Sequence, residues 1–260
     1  MHLNLSVITI CYNNLAELIS TCLSVDNQTI KPDEHLIING SSNKEVEEWL
    51  EKNPQPAYRK AFHEPDNGIS DAFNKGIEKS KGEITHLLNS GDRYADDKAI
   101  ETVLSVFKQE PELTWVHGKY IQHRGNMDVI SGVPFDAKQL WKGMRTVAHP
   151  TMFIKKAVYL KHGLYNLTYK IAMDYDLLVR IRHEKNRFID RPLVYFAPGG
   201  ASNVHFRKGL EEVKRSHRAY IGNDFRQLIW QWRQRMLHLF MGTTVGERWF
   251  RSKNRSKQVQ

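Results

Sequence analysis

Residues 5–39 read LSVITICYNNLAELISTCLSVDNQTIKPDEHLIIN, and the two ends of that stretch decide the fold. LSVITICY (5–12) and EHLIIN (34–39) are apolar, β-branched runs of strand length. Between them LAELISTCLSV (15–25) carries apolar residues at helical spacing. The alternation continues. NKEVEEWLEK (43–52) reads as an exposed helix, YRKAFHE (58–64) as a short strand, ISDAFNKGIEKS (69–80) as a helix and EITHLLN (83–89) as a strand. Such alternation predicts an α/β fold with a parallel sheet covered by helices on both faces. Ligands then bind outside the carboxyl ends of the strands, where Tyr12, Asn39, Glu64 and Asn89–Asp92 fall. After a helix near 96–109 the pattern changes. LTWVHGKYIQHR and DVISG read as strands, HPTMFIKKAVYLKHGLY as a strand and a helix, MDYDLLVRIRHEK as a helix and RFIDRPLVYF as a final strand. The second half is therefore expected to be mixed.

Composition bounds the function. At 260 residues and 40% hydrophobic, the chain suits one large domain, or one domain with an appendage, and excludes a disordered chain. Two cysteines, Cys11 and Cys22, do not make a disulfide framework and point to a reduced, cytoplasmic setting. The start, MHLNLSVITICYNN, lacks the marks of a signal peptide, and no transmembrane helix is expected. The net charge of +9 lies entirely in residues 207–257, which hold 13 Lys/Arg and 4 Asp/Glu. That asymmetry predicts a neutral domain over 1–204 and a basic amphipathic helical tail over 205–260.

The candidate residues each have a plain reading beside a chemical one. Asn39-Gly40-Ser41-Ser42 after HLII is a turn of small residues or the edge of a nucleoside pocket, with Thr9 and Tyr12 as neighbours. Pro65-Asp66-Asn67-Gly68 is a strong turn signal, and Asp71 and Lys75 are i, i+4 partners on the helix that follows. Asp92, at the end of LLNSGD, is a cap, a turn residue or a metal contact. His149 in AHPTMF is a core partner or a catalytic group. Asp174 and Asp176 open a helix whose dipole favours acids there. APGGASNVH (197–205) reads as a flexible loop suited to a lid or to phosphate contacts.

Together SVITICYNN, HLIINGSS, EPDNGISDAFNKGI, LNSGD, HPTMFIKKAVYLKHGLYN, YKIAMDYDLLVRI and GGASN resemble a family 2 glycosyltransferase of the GT-A fold, over residues 4 to about 203. The likeness is greatest to bacterial exopolysaccharide, O-antigen and colanic-acid-type transferases. The resemblance implies inverting transfer of a sugar from a nucleotide diphosphate sugar, with UDP favoured, to a hydroxyl of a polyprenyl-linked glycan. It implies Asp174 as general base, matching the second acid of the family's Glu-Asp pair, whose first position here is Met173. It implies Asp92 as the contact for Mg²⁺ or Mn²⁺, in a motif reduced from Asp-x-Asp to Ser90-Gly91-Asp92. Mg²⁺ can work with one or two carboxylates plus phosphate oxygens. Donor contacts are implied for Thr9, Tyr12, Asn39, Glu64, Asp66, Asp71, Asn74, Lys75, Ser90, Gly91, Gly199, Gly200 and Ser202. Asn39 stands where the family usually has Asp. His149 is implied as a contact to acceptor or diphosphate.

Two alternatives remain at this level, a non-catalytic nucleotide-sugar or glycan-binding module and a nucleotidyltransferase. The latter normally shows a basic glycine-rich loop that TICYNNLAE lacks. Nucleic acid is not an expected partner of the tail, which carries no recognised motif for it. In DFRQLIWQWRQRMLHLFMG, residues Phe225, Ile229, Trp232, Met236, Leu239 and Phe240 follow helical spacing among arginines. That predicts docking on the inner face of an anionic cytoplasmic membrane; the alternative is that the stripe packs on the domain or in a homodimer.

Overall fold

The computed structural model describes residues 3–124, 127–197, 205–241 and 243–254. The first half is the expected alternation: β1 (Leu5–Cys11), α1 (Leu15–Asp26), β2 (Glu34–Asn39), α2 (Glu45–Lys52), β3 (Arg59–His63), α3 (Ile69–Lys79) and β4 (Ile84–Leu87). These four strands are parallel, in the order β3-β2-β1-β4. Cys11 pairs with Asn39 and Asn39 with His63, so the carboxyl ends are level. β1 shows why a continuous apolar run makes a central strand. Leu5 and Val7 enter one core cluster while Ile8 enters another on the opposite face, following the two-residue period.

The second half is mixed, as its pattern predicts. It contains β5 (Arg93–Tyr94), α4 (Ala99–Gln109), β6 (Trp115–Arg124), β7 (Met127–Ser131), 3-10 segments at Ala137–Thr146 and His149–Thr151, β8 (Phe153–Lys155), α5 (Lys156–His162), α6 (Met173–Arg180) and β9 (Asn186–Phe196). β8 lies antiparallel between β4 and β6, and β6 pairs parallel with β9. The chain ends in α7 (Phe206–Tyr220), α8 (Phe225–Met241) and α9 (Thr244–Asn254).

The expected boundary at residue 204 does not mark a break in packing. Leu210 and Val213 of α7 belong to the main core cluster. Glu212, 5% exposed, accepts the N–H groups of Lys170, Ile171 and Ala172 at 2.8–3.1 Å. Ala172 is the N-cap of α6, so a side chain from α7 satisfies the N-cap donor and two N–H groups of the loop that leads into the helix. The tail therefore divides: α7 is part of the domain, and α8 and α9 follow it. No described helix is long and apolar enough to cross a membrane.

Candidate active site

A cleft of about 500 Å³ opens at the carboxyl ends of β1 and β4. Ile10, Ile69 and Ala72 supply apolar surface, and Tyr12, Asn14, Asp66, Asn89 and Ser90 supply polar groups. The rim is held by Asn13, whose φ of 52° is a left-handed conformation that Asn tolerates better than most residues. Its N–H donates to Ser41 Oγ at 2.9 Å, and its Oδ1 accepts from Ser42 N at 3.1 Å, tying the loop after β1 to the loop after β2. Asp66 Oδ1 accepts the Gly68 N–H at 2.8 Å. Its Oδ2 lies where a Cβ on Gly40 would stand, 1.9 Å from that point, so this approach requires glycine at 40.

Asn89 and Ser90 of the 88–92 turn line one side of the cleft, whereas Gly91 and Asp92 do not. Gly91 has φ +98° and donates its N–H to Thr21 Oγ1 at 2.9 Å. Asn89 lines the cleft with its Oδ1 enclosed and unpartnered among the described residues. Asp92 is 2% exposed. Its Oδ1 accepts the Ala197 N–H at 2.9 Å, and its Oδ2 is enclosed without a partner among the described residues. Burial pushes its carboxyl up to about 7, against the opposing effect of the N–H donors. Asp92 does not cap α4; Asp96 instead accepts the Lys98 N–H at 2.9 Å. No cluster of three metal-ligating side chains occurs among the described residues. One orphaned carboxylate oxygen nevertheless suits a Mg²⁺ or Mn²⁺ ion that takes its other ligands from water and a diphosphate.

A second chamber, of about 290 Å³, is lined by His149, Asp174, Tyr120, Met144, Phe196, Phe206 and further apolar side chains. Phe73 of α3 packs on His149 with ring centroids 5.1 Å apart, while its neighbour Ala72 lines the first cleft. Asp174 Oδ1 and His149 Nε2 are enclosed and lack hydrogen-bond partners among the described residues. Burial raises the Asp174 carboxyl above its ordinary range, and the His149 charge opposes that shift. Asp176, two residues on, is fully buried but tied to Arg180 Nε at 3.0 Å and to Ser216 Oγ at 3.1 Å. Of the two acids at the start of α6, Asp174 is the one with an oxygen left unpartnered among the described residues.

Several expected donor contacts are engaged elsewhere. Thr9 is buried, with Oγ1 2.9 Å from His35 Nε2. Arg59 Nε donates to His35 Nδ1, which leaves Nε2–H to donate to Thr9. Asn39 accepts from Ser41 N at 3.1 Å and donates to His63 Nδ1 at 2.9 Å. Glu64 pairs with Lys79 at 3.1 Å. Asp71 accepts from Asn67 N at 2.9 Å and pairs with Lys75 at 3.3 Å, and Lys75 also donates to the Pro65 carbonyl. Asn74 makes two bonds to the Tyr165 backbone, at 2.8 and 2.9 Å. None of these six lines the cleft, whereas Tyr12, Asp66 and Ser90 do. Gly199, Gly200 and Ser202 lie outside the described residues. Sequence reasoning did not single out Asn13 and Asn14 as site residues, and it placed Asn89 at a strand end without giving it a role. Their signal was paired or turn-flanking asparagine directly after a strand.

Comparison with known proteins bears on the family and the fold. The sequence model described as glycosyl transferase family 2 matches residues 6–159. An uncharacterised glycosyltransferase of Mycobacterium tuberculosis is 29% identical over 177 residues, 67% of each chain. A PGL/p-HBAD biosynthesis glycosyltransferase of Mycobacterium bovis is 25% identical over 170 residues, 64% of this chain and 65% of that one. Among solved structures, S. aureus TarS (residues 1–349) matches with TM-score 0.64 and 13% identity, covering 86% of this chain and 68% of that one. The mannosyltransferase PcManGT from Pyrobaculum calidifontis matches with TM-score 0.61 and 14% identity, covering 83% and 65%. At such identities the likeness is one of fold.

Proposed function

The chain belongs to glycosyl transferase family 2 and has the GT-A fold, and on that premise we propose that it moves a glycosyl group, with inversion, from a nucleoside diphosphate sugar to a hydroxyl of a lipid-linked glycan in bacterial surface polysaccharide synthesis. The observation that carries this reading is Asp174, a carboxylate enclosed beside His149 with one oxygen unpartnered among the described residues.

An inverting displacement places the attacking hydroxyl opposite the leaving diphosphate, so base and phosphate contacts must flank one anomeric carbon from opposite sides. On this reading the chamber is the base side and the cleft the diphosphate side. In the chamber, Asp174 accepts the acceptor's proton as its oxygen bonds to the anomeric carbon; burial raises its basicity toward working pH. His149 lines the same chamber, its Nε2 unpartnered among the described residues, and hydrogen-bonds acceptor or diphosphate. In the cleft, Tyr12 packs on base or ribose, Asp66 accepts from ribose hydroxyls, and Ser90 lets the diphosphate approach the backbone. Asp92 Oδ2 is the atom that would hold a divalent cation, which when bound supplies Lewis-acid neutralisation of the departing phosphate.

TarS has a structure in complex with UDP-GlcNAc, which favours a uridine donor. PcManGT was solved with GDP-Man and Mn²⁺, which makes guanosine the comparison. The Asn39 amide is engaged with Ser41 and His63, so base choice falls to other groups at the cleft. The test is a mass-spectrometric screen of uridine and guanosine diphosphate sugars with a polyprenyl-linked glycan, with and without EDTA. Consumption of a uridine donor, an inverted product anomer by NMR and loss of turnover in EDTA are expected. Binding of donors without transfer to any acceptor would overturn the catalytic reading.

A further inference from the structure

The exposed large apolar side chains of this protein concentrate at its C-terminal end. On α8, Phe225 is 73% exposed, Ile229 61%, Trp232 65% and Leu239 62%, and Leu228, Met236 and Phe240 are exposed beside them. The face turned to the domain is the opposite of what an amphipathic helix normally buries. It carries Gln227, Trp230, Gln231 and Gln234, all buried. Trp230 seats against Gly143, and Gln231 Nε2 donates to the Leu210 carbonyl at 2.8 Å. The helix is thus held by its polar side and presents its apolar side outward. At 3.6 residues per turn the outward apolar side chains fall in an arc of about 120°. Arg235 borders that arc on one side and Arg233 on the other, where Arg226 beyond it is paired with Asp224 at 2.7 Å. Val245 and Trp249 of α9 extend the exposed apolar surface, with Trp249 edge-on to Phe240 at 6.1 Å.

We infer that this outer face of α8 is a docking surface for an anionic lipid bilayer. The charge pattern selects that occupant. The whole net charge of +9 lies in residues 207–257. Pairing the face with a second copy would set arginine borders against arginine borders, whereas phosphate headgroups neutralise them while the apolar arc enters the acyl boundary. The placement also matters for the reaction. Phe206, which lines the chamber holding Asp174, stacks on His238 of α8 with ring centroids 4.3 Å apart. Met144, another chamber residue, is adjacent to the Gly143 on which Trp230 rests. A membrane under α8 therefore lies beside the chamber wall, where a lipid-linked hydroxyl would arrive. The docking inference stands whether or not the acceptor is a lipid.

The full chain is tested by flotation with vesicles of phosphatidylcholine alone and with vesicles holding about a third phosphatidylglycerol, and by light scattering after gel filtration. A monomer is expected that floats with the anionic vesicles and releases in high salt. The double substitution Ile229→Ser with Trp232→Ser is expected to lower partitioning about tenfold or more while leaving the thermal midpoint unchanged. Arg233→Gln with Arg235→Gln should weaken binding to the anionic vesicles alone. A protein that ignores anionic vesicles, or a dimer that the Ile229/Trp232 pair dissociates, overturns the inference. Equal binding to both vesicle types also overturns it, because charge is what selects the anionic surface.

Discussion

In the stretch 63–77 Asp71, Asn74 and Lys75 bind their own chain or the loop packed on it, whereas in the stretch 172–176 Asp174 keeps an enclosed oxygen without a partner among the described residues. The first stretch is the more specific motif, the second the weaker one. The difference teaches that motif density and chemistry are separate signals. The 63–77 residues build the turn and anchor loop 163–169 to α3. They shape the cleft indirectly, through Asp66 and the start of the helix. At 172–176 the body supplies a cap, Glu212, and a locked neighbour, Asp176, and leaves one acid between them.

The sharpest test of the contrast exchanges the two acids of α6. Asp174→Asn is expected to lower turnover by roughly 10²–10⁴-fold while donor affinity and the urea midpoint stay near wild type, because an amide cannot take the proton. Asp176→Asn is expected to destabilise by about 3–5 kcal/mol, because it leaves a buried guanidinium without its carboxylate. A folded, inactive Asp176 variant beside an active Asp174 variant would break the comparison.

Titration separates body and site next. His35, His86, His117 and His217 are buried and held neutral, with His86 lowered to about 3 and His117 to about 4. A folded pKa below the unfolded 6.5 means that stability is lost as pH falls from 6.5 toward 4. Asp92, raised to about 7, and Asp174, also raised, act in the opposite sense: the folded state holds their protons more tightly, so acid favours it. The histidines outnumber the aspartates, so on balance unfolding takes up protons and stability falls as the solution is acidified below 6.5. Urea midpoints at pH 6.5 and 5.0 should fall accordingly; a flat profile would mean that the site acids balance the body.

The smallest expected effect lies within the motif itself. Asn74→Ala removes both bonds to Tyr165 and is expected to lower stability by about 1–3 kcal/mol, with the donor KM unchanged. A raised KM at unaltered stability would return Asn74 to the donor site and blur the contrast.

Much of the fold was legible because its signals are local. The apolar runs at 5–11 and 34–39, the helical spacing at 15–26 and the Pro65–Gly68 turn depend on neighbours within a few residues, and each became the expected element at the expected end of the sheet. The site was legible only in outline. Placing Tyr12, Asn39, Glu64 and Asn89–Asp92 at strand ends followed from the alternation, and Asp66 from its turn signal. Finding that Thr9 and Asn39 turn inward did not, because their partners, His35 and His63, come from neighbouring strands.

Sequence alone determined that α6 would begin with two acids and that α8 would have an apolar side. Tertiary structure decided which acid stays available and which side of α8 meets the domain. Asp176 is taken by Arg180 one turn on and by Ser216 from α7, a partner that no local pattern announces. In α8 one tryptophan and three glutamines face inward because Gly143 leaves room for Trp230 and the Leu210 carbonyl accepts from Gln231. A helical period fixes the angle between two faces but carries no information on which face finds a complementary surface; that depends on contacts far apart in the chain.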